Sequence, residues 1–556
     1  MRKRFFIFFI VFLLLTAPIL HGCAHLLDFL PMDFPEIQPP PAPAPVEEPE
    51  EEPEEEPEEE EPPPEPVRRD FTLRYDPSST LNPILMLNRD NIVLSSLVYE
   101  SLFVLNHNLD AIPVLCRHWE TEDYQNFTFE IYPNIPMHDG STLTADDVVY
   151  SLRNAMTRGR FASRLHSVIS VEAIDELSLT VRLNATNTRF IYLLDFPIIK
   201  SGSIDSGTPP GTGPFIISRN ENEYENFDIV ESKLTLFSLH REATYMPVST
   251  IFLRASSDSE LTELFDNGDL SLLWDDPAST FDLRLNRLHE TRIYETTALQ
   301  FIGFNANTTF FRDPDIRRGV SASIERQFIV DEIMPGQFLA APLAISPAFT
   351  WYDYEWEFGH FTPAQEMSYL FHRAGLEDHN NTSYLELDTG RGEFIRFTID
   401  FIVNSENTHK VQAANRIART LRQAGVDVTV RDLPWEQFMQ ALQTGNFDMF
   451  YGEIMLGGDF DLSPLLLPGP LNFGGTANTN YRMFIEDFLA ARGEREIQFA
   501  AALLLEEIRV NAPFAPILYK RHAIYTPLGA ISGAEPNQSS IFHNFTEWTI
   551  DLYMLA

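Results

Sequence analysis

The sequence is poor in cysteine, in basic residues and in catalytic signatures. Two Cys in 556 residues exclude a disulfide scaffold and a cysteine-built zinc ribbon. Forty Lys and Arg stand against 81 Asp and Glu, a formal charge of −41. Nothing in that balance supplies a basic patch for nucleic-acid phosphates. Beyond residue 69 the histidines show neither His-x-x-x-His nor His-Glu-x-x-His spacing, so a zinc site built by the protein is not expected. No Gly-x-Ser-x-Gly elbow offers a nucleophile. What remains is 44% hydrophobic and 12% aromatic residues, enough for large cores. At this length more than one core is expected.

The first 69 residues are unlike the rest. Arg2, Lys3 and Arg4 precede an uncharged apolar run over 5–20, the length of a secretory signal core and short for a spanning helix. Leu20-His21-Gly22-Cys23 then resembles the bacterial lipobox, with His21 where a small or β-branched residue is usual. That resemblance implies a signal peptide over 1–22 and a mature chain acylated at Cys23, anchored by two or more acyl chains. Residues 39–66 hold 12 Pro and 13 Glu, which cannot fill a core and repel one another. Recurrent Pro rules out a solvated helix. We expect residues 23–69 to be a disordered tether, reaching roughly 90 Å if fully polyproline-like.

The body, 70–556, carries 35 basic and 65 acidic residues and is acidic in its own right. Residues 127–132 alternate and predict a strand, followed by a turn at 136–140. Thr144 with Asp147 three residues on predicts a capped helix through Met156. Residues 301–305 predict another strand. Asp313 and Pro314 open a helix with Gly336 at its expected end. From 397 to 454 the pattern alternates: strand 397–403, helix 412–424, strand 426–430, helix 435–442, strand 447–454. That order implies a parallel sheet with crossover helices.

Several segments, in order, resemble the bacterial extracellular solute-binding proteins of family 5, the peptide/nickel class serving ABC importers. They are Thr80-Leu81-Asn82-Pro83, Val98-Tyr99-Glu100-Ser101-Leu102, the stretch from Ile112 to Trp119 and Glu120, Met137-His138-Asp139-Gly140-Ser141 with Leu143-Thr144-Ala145-Asp146-Asp147-Val148, Gly211-Thr212-Gly213-Pro214-Phe215, the helix after Asp313, and Gly458-Asp459-Phe460-Asp461. Together they cover roughly 70–530. The resemblance implies an α/β, bilobal periplasmic-binding-protein-like clamp, class II with an extra small domain, built of mixed sheets with crossover helices. Lobe one would span 70–295, with a second domain inserted at about 90–190. Lobe two would span 296–508, and 509–556 would return to lobe one.

The family's function would then be capture of oligopeptides outside the membrane and delivery to the permease subunits of an ABC importer. It implies no catalysis, no cofactor, no metal and no nucleic acid, and a monomer tethered to the bacterial cell membrane. Capture of another solute, a nickel chelate or an oligosaccharide, is the alternative, as is a surface peptide receptor that never transports. In peptide binders of the family an Asp in the segment of Asp459 pairs with the ligand's α-amino group. A cation entering a dry cleft needs a fixed carboxylate. Asp461 is the alternative holder, and Leu456 stands where peptide binders often have Trp. Tyr99, Glu100, Asn305 and Trp435 are candidates to line the cleft, and Asn472 and Gly474 to shape its edge. His138 and Asp139 are read as a packing turn, and Cys116 as a small buried residue.

Overall fold

In the computed structural model, residues 68–218, 232–276, 283–333, 336, 338–357, 364–475 and 479–555 are described. The expected signal peptide, Cys23 and nearly all of the expected tether lie outside them. Among the described residues no helix is long and apolar enough to cross a membrane.

The first lobe holds two four-stranded sheets. One orders Thr72–Tyr75, Thr250–Ala255, Ser232–Leu236 and Phe215–Ser218, with the first pair parallel. The other orders Cys116–Glu120, Asn126–Ile131, Ser178–Leu183 and Val168–Ala173, all antiparallel. Alternation along Asn126–Ile131 turns Phe127, Phe129 and Ile131 into a core shared with the helix Ala145–Ala155. That helix opens with the expected capping box. The Asp147 carboxylate accepts from the Thr144 backbone N–H and hydroxyl, both at 2.9 Å.

The second lobe is built on a seven-stranded sheet. Its main path runs Leu273–Asp275, Phe514–Pro527, His289–Phe304, Met449–Met455, Thr398–Asn404, Asp427–Leu433, and Phe338–Ala340 joins at Phe514–Pro527. Thr398–Asn404 pairs in parallel with both Asp427–Leu433 and Met449–Met455, through the crossover helices Thr408–Gln423 and Trp435–Thr444. The strand–helix alternation read from the sequence is therefore present. Gly445 closes the second crossover helix with φ of 69°, a left-handed position suited to glycine.

The helix begun at Pro314 is shorter than its sequence suggests. It stops at Ala322, two short turns follow, and Gly336 lies beyond them. The Ser323 hydroxyl bonds back to Val320 O at 2.6 Å. Such back-bonding by serine competes with helix continuation, and beyond it Arg326 turns inward to donate to Pro516 O at 2.8 Å.

Two long strands carry the chain between lobes. His289–Phe304 and Phe514–Pro527 are antiparallel, and their register shifts between Glu295 and Leu299. Before the shift Phe514–Pro527 also pairs with Leu273–Asp275 on its other edge, and Tyr294 and Ile524 join the first-lobe core. After it Phe301 and Tyr519 pack in one second-lobe core, and Ile302 and Leu518 in the other. A register break bends a ladder and weakens its pairing, which is where two lobes can hinge.

Candidate functional site: the cleft between the lobes

A cavity of about 750 Å³ opens where the lobes meet. Its walls are the loop 106–109 of the first lobe, the loop 347–350 of the second, Tyr294, Glu295 and Arg521 on the crossing strands, and the loop 536–538. The volume suits a small-molecule or short-peptide ligand, and a site shared by two lobes can close on what it holds. Arg521 pairs with Glu295 at 2.9 Å. Asn537 lines the cavity, and its Nδ2 is buried with no partner among the described residues. Across the mouth, Thr350 Oγ1 lies 2.8 Å from Asn108 O and 2.7 Å from Asp110 Oδ1.

Along the seam runs a chain of charges. Lys520 Nζ, on one crossing strand, lies 2.5 Å from Asp276 and 3.0 Å from Glu453. Arg89 reaches Asp276 at 2.9 Å, and Lys410 reaches Glu453 at 2.8 Å. Gln300 Nε2 donates to Glu453 at 3.0 Å while its Oε1 accepts from the Tyr451 hydroxyl at 2.8 Å. Burial alone would raise the pKa of Asp276, but Lys520, His522 and Arg89 hold it below the usual carboxylate range. Burial pushes His522 down to about 4, against the pull of Asp276.

The third feature joins the lobes directly. Residues 187–189 of the first lobe meet 459 and 488–491 of the second. Asn187 Nδ2 donates to Asp459 Oδ2 at 2.9 Å. The Thr188 N–H donates to Leu489 O at 2.8 Å, and its hydroxyl to Ala491 O at 2.8 Å. Arg189 donates to Phe488 O at 2.9 Å and to Asp459 O at 3.5 Å, with its guanidinium 4.3 Å above the Phe488 ring. Asp459, at 1% exposure, is pushed up to about 6 by burial and by Asp461, against Asn187 and Arg189. Two glycines precede it because space runs out. A Cβ at Gly457 would meet Asp459 Oδ1 at 2.7 Å, and one at Gly458 would meet Leu105 at 2.8 Å.

The other sequence candidates are distributed around these features. Asp461 accepts from the Ser463 N–H at 2.8 Å and lies 3.4 Å from His166. Tyr99 is buried, its hydroxyl 3.0 Å from Pro209 O. Glu100 meets Arg241 at 2.6 Å and His240 at 3.4 Å. Burial alone would raise its pKa, but these partners hold it below the usual range. Tyr99 and Glu100 line a separate groove of about 720 Å³. Asn305 ties down the turn after the second crossover helix by donating to Gly445 O and Phe447 O. Trp435 is half exposed at the start of that helix. Asn472 donates to Leu467 O at 3.3 Å. Gly474 presses on the Phe304 carbonyl, 2.1 Å from where its Cβ would stand.

Neither these seven nor Asp459 is among the residues lining the 750 Å³ cavity. The sequence reading missed Asn187, Arg189, Asp276, Glu295, Glu453, Lys520 and Arg521. One signal was available: Lys520, Arg521 and His522 interrupt an otherwise apolar strand.

The family model for bacterial extracellular solute-binding proteins, family 5 Middle, matches residues 110–468. The periplasmic murein peptide-binding protein MppA of Escherichia coli K12 is 22% identical over 417 residues, covering 67% of this chain and 72% of its own. The oligopeptide-binding protein AppA of Bacillus subtilis, solved with a nonapeptide, aligns with a TM-score of 0.66 at 17% identity, over 87% of this chain and 99% of its own. NikZ of Campylobacter jejuni, solved with Ni(L-His), aligns with a TM-score of 0.66 at 16% identity, over 87% and 100%.

Proposed function

This chain belongs to the bacterial extracellular solute-binding proteins of family 5, with their bilobal clamp, and we propose that it captures oligopeptides and delivers them to an ABC importer. Members of this family bind and do not catalyse. Its place is extracytoplasmic, as for its relatives. The observation that carries the peptide reading is the 750 Å³ cavity walled by both lobes and by the strands that cross at a register break. A ligand seated there touches both lobes at once. Binding then favours the closed form over the open one, and a permease can recognise closure rather than the ligand itself.

The polar groups at the wall suit a peptide. Arg521 at the wall can hold a carboxylate or backbone carbonyls of a ligand. We further propose that the chain works as a monomer tethered through acylated Cys23, which keeps captured ligand near its permease. Mass spectrometry of small molecules released from the purified protein tests the ligand class. Peptides of a few residues are expected. A nickel chelate or an oligosaccharide as the bound species would replace the peptide reading.

A further inference from the structure

We propose that a pocket in the second lobe, outside the ligand cleft, binds a small tetrahedral oxyanion such as inorganic phosphate, held by Arg318, Arg326 and Arg509. The pocket measures about 50 Å³ and shares no lining residue with the 750 Å³ cavity. That is room for a few water-sized groups, and so for one such ion.

The body carries 65 acidic and 35 basic residues, yet three arginines and no Asp or Glu line this pocket. The arginines come from three segments: Arg318 from the helix Pro314–Ala322, Arg326 from the short turn that follows it, and Arg509 from the last turn of the helix Gly493–Asn511. Leu343, Leu505, Ile508 and Phe514 are among the apolar residues that complete the wall. Apolar surroundings strengthen the pull of a cation on an anion. Guanidiniums brought from three segments suit the several oxygens of a tetrahedral ion better than the two of a carboxylate.

Arg326 carries the argument. It is 8% exposed, and every acceptor it meets is neutral. Nε donates to Pro516 O at 2.8 Å, Nη1 to Ser321 O at 3.2 Å and Ile324 O at 3.4 Å, and Nη2 to the Ser321 hydroxyl at 3.1 Å. One of the five guanidinium N–H groups is thus left over. No carboxylate opposes the burial, which lowers the pKa to about 10. Arg318 has Asp315 and Glu366 only at 3.4 and 3.5 Å, whereas Arg509 is held by Glu506 at 2.6 Å. A buried charge is costly without a counter-ion, and an anion in the pocket supplies one. The walls are already fixed: Arg317 Nε donates to Asn511 O at 3.1 Å and Ala512 O at 3.0 Å, which ties the two helices together.

Calorimetric titration of the purified protein with phosphate, in chloride buffer of matched ionic strength, tests the site. One saturable site is expected, and phosphate should raise the melting temperature above that in chloride alone. Arg318→Gln and Arg509→Gln should each weaken phosphate binding by about tenfold, the worth of one charge-assisted contact. These two are chosen because Arg326 also supports the strand Phe514–Pro527 through Pro516. Thermal melting confirms that both variants fold. Arg117→Gln, which changes an exposed arginine of the first lobe, should bind phosphate as wild type does. Acetate should bind about tenfold more weakly than phosphate. The absence of saturable phosphate binding overturns the inference, as does an equal loss in Arg117→Gln or an equal affinity for acetate.

Discussion

The Lys520 ammonium lies 2.5 Å from the Asp276 carboxylate, and both side chains are almost wholly buried at the seam between the lobes. The same ammonium reaches Glu453 at 3.0 Å, on the strand Met449–Met455 of the second lobe. One cation thus neutralises acids from two elements. Lys520→Met would leave Asp276 buried, with Arg89 as its nearest remaining cation. Removing one partner from a buried pair costs about 3–5 kcal/mol, and the remaining partner places the expected loss near about 3 kcal/mol. Urea unfolding measures it. A loss under about 1 kcal/mol would show that the pair is not held as described.

His522 predicts a pH dependence with a definite sign. Its pKa falls from 6.5 to about 4 through burial, opposed by Asp276 and reinforced by Lys520 and Arg89. A base whose folded pKa is depressed leaves the unfolded chain to take up the proton first. Stability is therefore full above pH 6.5 and is lost as pH falls toward 4, by at most about 1.4 kcal/mol per pH unit. Asp459 acts oppositely: its raised pKa, about 6, gives stability at low pH that is lost as pH rises from about 4 to 6. The contrast between wild type and His522→Phe isolates the histidine, because Phe keeps the edge contacts with Trp274 and Tyr294. Between pH 4 and 6.5 the variant should lose less stability on acidification than wild type. Parallel curves would remove His522 from this role.

Much of the fold could be read from local pattern, because periodicity and caps report on backbone geometry. The crossover helices, the parallel strands from 398 to 455 and the Thr144–Asp147 cap all follow from spacing. The cleft could not be read that way. Asn187 and Arg189 lie in a polar stretch, Thr186-Asn187-Thr188-Arg189, that looks like solvated surface. They are buried because Asp459 and residues 488–491, some 270 and 300 positions later in the chain, fold against them. Lys520 gave a fainter signal. A strand interior that admits three basic residues in a row must find counter-charges, but the sequence does not say that Asp276 and Glu453 supply them. The family resemblance makes Asn305 and Trp435 candidates to line the cleft. Asn305 binds the backbone of its own lobe, and Trp435 opens a crossover helix.

Gly474 gives a steric prediction. Its missing Cβ leaves room for the Phe304 carbonyl, which would lie 2.1 Å from any side chain's first carbon. The obstacle is backbone at the end of a central strand and cannot rotate away. Gly474→Ala should therefore cost about 1–3 kcal/mol, as overpacking does. Gly140→Ala makes a useful comparison, since its cost comes from a φ of 84° with no atom near the added carbon. Equal stability of Gly474→Ala and wild type in urea would contradict the close approach.

The amino-terminal segment can be tested independently of the body. Residues 39–66 cannot bury apolar area, so a chain beginning at Asp70 should melt within about 2 °C of one beginning at Cys23, because changes away from any packed feature stay within about 0.5 kcal/mol. Anchoring should behave the opposite way. If Cys23 carries the acyl chains, Cys23→Ala should leave the signal peptide uncleaved or free the protein from membranes, while the affinity of the folded body for its ligand stays the same. The two measurements separate address from fold. Intact mass of the membrane fraction reads the first directly, and an unmodified Cys23 there would remove the lipid anchor from the account. The melting comparison reads the second, and a drop of more than about 5 °C on removing 23–69 would mean that the tether packs against the body.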